Sequence, residues 1–190
     1  MKSFTIWTLL LCACLASVAW AQQPKKGKPL AGYTVILVEP FVVEHGELTK
    51  DFPAGEEVNL QRSAIDALRT SGTFEKVVDG SEKSSNEPPA AEPAAKAEER
   101  KAILSTTITG FEKGSSAARF MTWPLPVGVS KAKARFVFRD ATTNQEVFSF
   151  EKETKFQATM SGGIATKEEQ MSHLKGGLAD ILVKEIKRNR

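Results

Sequence analysis

Tyr33-Thr34-Val35-Ile36-Leu37-Val38 is apolar or β-branched on both sides of the chain. That predicts a strand covered on both faces, ended by Pro40. Residues 41–53 hold no sustained period and read as a loop with extended pieces. From Glu56 the spacing turns helical, with Val58, Gln61, Ile65 and Leu68 on one stripe and Leu60, Ala64 and Ala67 beside it. Gly72 follows the last apolar position, where a left-handed residue closes a helix. Phe74-Glu75-Lys76-Val77-Val78 alternates and predicts a short strand, and the threonine-rich run 103–111 predicts another. The closing helix spans residues 166–187: Thr166 and Glu169 form a capping box, and Met171, Leu174, Leu178, Ile181, Leu182 and Ile186 mark one face. Gly176-Gly177 inside it costs on the order of 1 kcal/mol per residue relative to alanine, so close packing on the sheet or a kink is expected there.

The best-specified pattern is the hairpin of residues 131–156. Folded about Thr143, it sets Phe138 opposite Phe148, Phe136 opposite Phe150, Arg135 opposite Glu151 and Lys133 opposite Glu153. One face is then aromatic and the other paired charge. A slip of one residue would exchange them, so the register is strongly specified.

Two stretches break the periodicity. Residues 79–101 turn to Ser, Pro, Ala, Glu and Lys, too poor in apolar area to offset backbone entropy, and read as a low-complexity disordered insertion. Phe120, Met121, Trp123, Leu125 and Val127 form an apolar run whose prolines forbid a central strand. They either fold back over the sheet or stand as the candidate contact surface. The fold class expected is α+β: one domain over residues 32–190, with about five strands in a mostly antiparallel sheet, two helices on one face, and the order β-α-β-insertion-β-β-β-α. Residues 22–31 are a disordered lead-in.

Composition adds an address. Lys2 precedes an apolar run that ends in Ala19-Trp20-Ala21, the shape of a secretory signal cleaved before Gln22, which leaves a periplasmic or secreted protein. A competing cut at Leu11-Cys12-Ala13-Cys14 resembles a lipobox and would tether the chain to the outer membrane through Cys14; the match at Ala21 is the better one. Cleavage at Ala21 removes both cysteines, Cys12 and Cys14, and with them disulfides and thiolate chemistry. The net charge of +3 is small, with basic residues gathered at the ends. Nucleic acid is therefore not an expected partner, and the basic C-terminus is suited to weak contact with an anionic membrane surface.

Three stretches resemble the bacterial secreted domain-of-unknown-function family forty-four-ten. They are Tyr33 to Phe41 with the helix end Ser71-Gly72-Thr73-Phe74; Thr109-Gly110-Phe111 with Gly114 and Ala118-Arg119-Phe120; and Ala132 to Glu146 with Asp140 ahead of the turn. The chain has Asn144 near where that family carries a glycine, and asparagine tolerates the left-handed conformation best of the side-chain-bearing residues. Trp123-Pro124-Leu125-Pro126 replaces its glycine-rich loop. The resemblance implies a small α+β envelope domain, often a lipoprotein, and carries over no catalytic residues.

Reactive groups are scarce. His173 has no Glu-x-x-His partner, and His45 sits between Glu44 and Glu47 with no second histidine in reach. The serines show no nucleophile elbow, and Gly162-Gly163 lacks the phosphate-loop spacing. Arg135 and Lys133 opposite Glu151 and Glu153 keep those carboxylates ionised, which unfits them as an acid/base pair. The reading is a non-enzymatic envelope module with no cofactor or metal, acting through an envelope protein partner. An accessory that binds a lipid or glycan is the alternative, and a hydrolase ranks last.

Overall fold

The computed structural model describes residues 27–81, 99–113, 130–156 and 167–190. They form β1 (Tyr33–Val38), β2 (Val42–Val43), α1 (Glu56–Ser71), β3 (Lys76–Asp79), β4 (Arg100–Glu112), β5 (Ser130–Asp140), β6 (Glu146–Phe156) and α2 (Lys167–Asn189). The strands make one sheet in the order β3-β1-β4-β5-β6, with β2 paired to β4. The five expected strands are this path; β2 is a sixth. The α+β class holds, but the sheet is mixed. β5 runs antiparallel to both neighbours, whereas β1–β3, β1–β4 and β2–β4 are parallel. The β1-α1-β3 succession accounts for the parallel β1–β3 pair, because a crossover through a helix returns the chain in the same direction.

β1 and β2 lie end to end along one side of β4. Pro40 interrupts them, yet Glu39 N–H reaches Leu104 O at 2.9 Å and Glu44 N–H reaches Ile108 O at 3.0 Å, so the ladder is nearly continuous. The hairpin has the expected register, Phe136 on Phe150, Phe138 on Phe148, Arg135 on Glu151 and Lys133 on Glu153. Asn144 closes its turn at φ 55°, and Asp140 Oδ1 accepts the Thr142 and Thr143 N–H groups at 2.9 and 3.0 Å.

Both helices cover the face that carries Ile36, Val38, Ala102, Leu104, Ile108, Ala134, Phe136 and Phe138. Leu60, Ala64, Ile65 and Leu68 of α1 and Leu174, Leu178, Leu182 and Ile186 of α2 complete this core. Burying such a side chain contributes roughly 1.5–3 kcal/mol. Five residues depart from the expected pattern. Val58 is 51% exposed, so the buried stripe of α1 is centred on Leu60 and Ala64. Leu30, expected in the lead-in, is fully buried and donates its N–H to Asn189 O at 3.0 Å, because the end of α2 gives it a place to pack. Asp79, Arg100 and Lys101, assigned by composition to the insertion, are strand residues.

α2 lies close on β6 at Gly177, where an added Cβ would collide with Thr154 Oγ1; beside Gly176 there is open space. Close packing, and at one glycine of the pair, accounts for that costly dipeptide.

Candidate functional site

Among the described residues no helix lies over the other face of the sheet. Alternation places Ser105, Thr107 and Thr109 of β4, Lys133, Arg135, Val137 and Arg139 of β5, and Ser149, Glu151 and Glu153 of β6 there. The chain after β2 walls off one end. Phe111 donates its N–H to Leu48 O at 2.6 Å, Phe52 meets the Phe111 ring edge-on at 5.5 Å, and Thr49 Oγ1 donates to both Glu44 O and Gly46 O. That pinned loop leaves the Leu48 side chain 69% exposed at the rim of a groove of about 510 Å³. Glu44, Thr109, Lys133, Arg135, Ser149 and Glu151 line the rest.

Charge in the groove is partly neutralised. Lys133 Nζ pairs with Glu151 Oε2 at 3.0 Å, and Thr109 Oγ1 donates to Glu151 Oε1 at 2.9 Å. The pairing is diagonal to the backbone register, since Lys133 lies directly opposite Glu153. Lys133 first, then Thr109, holds the Glu151 carboxyl below its ordinary pKa. Glu151 is therefore a fixed anion and no proton donor near neutral pH. Ser149 Oγ is occupied by Glu146 Oε1. Further along the same face, Arg139 joins Glu39 at 2.9 Å and Ser105 at 2.6 Å.

A second concavity, about 120 Å³, lies between the start of α2, the ends of β4 and β5, and the loop before α1. Ser130 Oγ donates to Gln170 Oε1 there at 2.7 Å, beside Phe111, Met171 and Leu174. At the opposite end of the sheet, buried Tyr33 donates to Asp140 Oδ2 at 2.8 Å while Arg100 stacks on its ring and donates to its hydroxyl. Hydrogen bonds from Thr143, Tyr33 and Thr142 pull the Asp140 carboxyl down to about 2.

His173 stacks on Phe156 at 4.7 Å between ring centres, and His45 is exposed on the loop after β2. Among the described residues no three His, Cys, Asp or Glu side chains gather to hold a metal. Phe120, Met121, Trp123, Leu125 and Val127 lie outside the described residues, as does Thr166. Sequence reading did not find the groove, because its lining comes from four separate segments that each look like an ordinary solvated strand face or loop.

No family model matches the chain, so the resemblance to family forty-four-ten finds no confirmation there. No curated protein matches it either. Solved structures do. An uncharacterised protein aligns at 13% identity over 89% of this chain and 97% of its own, with a TM-score of 0.50. Protein XCC0632 of Xanthomonas campestris, assigned to the family DUF330, aligns at 9% identity over 80% of each chain, with a TM-score of 0.49. Lipoprotein GNA1162 of Neisseria meningitidis aligns at 16% identity over 82% of this chain and 99% of its own, with a TM-score of 0.45. At these identities it is the arrangement of strands and helices that is shared, and the first of the three shows it.

Proposed function

We propose that this chain is a non-enzymatic domain of the bacterial cell envelope that works by holding a protein partner in the groove on its uncovered sheet face. The carrying observation is the contrast between the groove and everything a catalyst would need. The groove offers an exposed leucine, an arginine with no ion pair among the described residues, and hydroxyl and carboxylate acceptors. Its one shifted carboxylate is held as an anion, and its serine is engaged by Glu146. A mixed apolar and charged rim around a shallow concavity suits a protein surface. The envelope location rests on the signal-like N-terminus of the sequence.

The concavity at the start of α2, at about 120 Å³, is well below the roughly 300–1,000 Å³ that small-molecule sites take, which speaks against a buried lipid chain there. The open groove is large enough for a short glycan, so the experiment separates the two readings. A photo-crosslinking side chain at Leu48, carried by the native protein in its own envelope, is expected to give one discrete protein adduct. Arg135→Glu should abolish that adduct, and a crosslinker at Val58 should not form it. Loss of all protein adducts, with a carbohydrate co-purifying with the native protein and released by Arg135→Glu, would replace this proposal with the glycan-accessory reading.

A further inference from the structure

β6 closes the strand order and has no neighbour on its outer side among the described residues. At 11 residues it is as long as β5 and contains no proline. Long edges of this kind invite a further strand unless something blunts them. Here the blunting devices are charges, Glu151, Lys152, Glu153 and Lys155, whose signs alternate. An apolar strand is repelled by them; a strand with the complementary order is not.

The order is complementary to itself. A two-fold axis normal to the sheet keeps both helix layers on the same side, so each residue must pair with one on its own face. Centring that axis on Glu153 sets Glu151 of each copy opposite Lys155 of the other, and Phe150 opposite Phe156, twice over. The two phenylalanines are half-buried on the helix-covered side, Phe150 stacked on Phe136 and Phe156 on His173, and each keeps an exposed flank toward the edge. Like charge meets only at Glu153 itself, which Lys155 contacts at 3.2 Å and which sits across from Lys133 on β5. The neighbouring registers are worse. Centring on Lys152 opposes Glu151 to Glu153 twice and Lys152 to itself; centring on Thr154 keeps two Glu153–Lys155 pairs but sets Lys152 against Phe156 on the helix-covered side, in place of the Phe150–Phe156 pairs. Cross-strand pairs of these kinds differ by about 1 kcal/mol each, enough in sum to select one register.

We propose that β6 is a homotypic docking edge through which two copies of this chain form one continuous antiparallel sheet, paired over residues 150–156 with Glu151 opposite Lys155 of the second copy. This pairing uses the free backbone edge of β6 and shares only Phe150 and Glu151 with the lining of the groove.

Sedimentation equilibrium on the native processed protein across a dilution series tests it. The expected mass is that of a dimer, and Glu151→Lys and Lys155→Glu should each weaken association by about tenfold or more, since each turns two attractive pairs into repulsive ones. Mixing the two variants in equal amounts restores opposite charge at both positions and should return association to the native level. Lys155→Glu leaves the Lys133–Glu151 and Lys131–Glu112 bridges intact, and an unchanged melting curve will establish that its fold is intact. A native protein that stays monomeric, single variants that associate as the native chain does, or a mixture that fails to recover each overturns the proposal.

Discussion

Neighbouring residues of β5 live in opposite worlds. Phe136 is 1% exposed and stacks on Phe150 at 4.9 Å beneath the two helices, while Arg135 beside it faces water across the groove. The covered face is aliphatic and aromatic and is locked by volume; the uncovered face is held by hydrogen bonds and exposed ion pairs worth at most about 1 kcal/mol each. Stability therefore resides on one side of the sheet, and the other side is free to vary its chemistry without loss of the fold. A surface of that kind is where recognition can be placed.

The largest expected effect is the sharpest test of this division. Phe136→Ala should cost about 3–5 kcal/mol, through lost burial and the cavity left under α2. Val137→Ala, one residue along and half-buried on the other face, should cost under about 1 kcal/mol, and Arg135→Ala should stay within about 0.5 kcal/mol. Urea denaturation of the three variants measures this directly. Comparable losses at 136 and 137 would mean that the uncovered face is packed after all, and the groove would lose its standing as a surface.

A smaller effect tests how α2 is seated. Gly177→Ala forces the helix away from Thr154 and should cost about 1–3 kcal/mol, as other overpacked contacts do. Gly176→Ala meets open space and should stabilise by about 0.5–1 kcal/mol, from helix propensity and the lower entropy of the unfolded chain. Opposite signs at adjacent glycines are the expected thermal-melt result, and Thr154→Ala should recover part of the Gly177→Ala loss. Equal signs would put the close approach elsewhere.

The hairpin was the most legible part of the molecule. Its period of two fixes which residues share a face, and the Phe and Glu/Lys/Arg positions then admit a single register about Thr143. Both helices were legible for the same local reason, down to Gly72 at φ 61° at the end of α1. What escaped depends on residues far apart in sequence. Val58 looks as apolar as Leu60, and only the seating of α1 in the folded core separates the exposed one from the buried one. β2 is two residues long, too short for any period to show, and exists because β4 is long enough to accept a second strand beyond Pro40. The diagonal Lys133–Glu151 bridge also needed the sheet in place, since the register alone opposes Lys133 to Glu153.

The smallest expected effect concerns the turn that joins β5 and β6. Asp140 ends β5 with one carboxylate oxygen on the turn N–H groups and the other on buried Tyr33, and its folded pKa is about 2 against an ordinary 3.8. A carboxyl depressed on folding favours the native state when ionised. Its contribution is complete above its ordinary value and is lost as pH falls from 3.8 toward about 2. Over that window the native chain should lose stability more steeply than Asp140→Asn, which has no proton to take up there. Tyr33→Phe removes one of its donors and should move the Asp140 carboxyl back toward 3.8, so that the same loss begins at higher pH. Urea midpoints measured through the window, with an NMR titration of the Asp140 carboxyl, check both variants. If the native and Asp140→Asn slopes run parallel, the turn is held by its backbone conformation at Asn144, and the side-chain network contributes nothing to the acid limit of the fold.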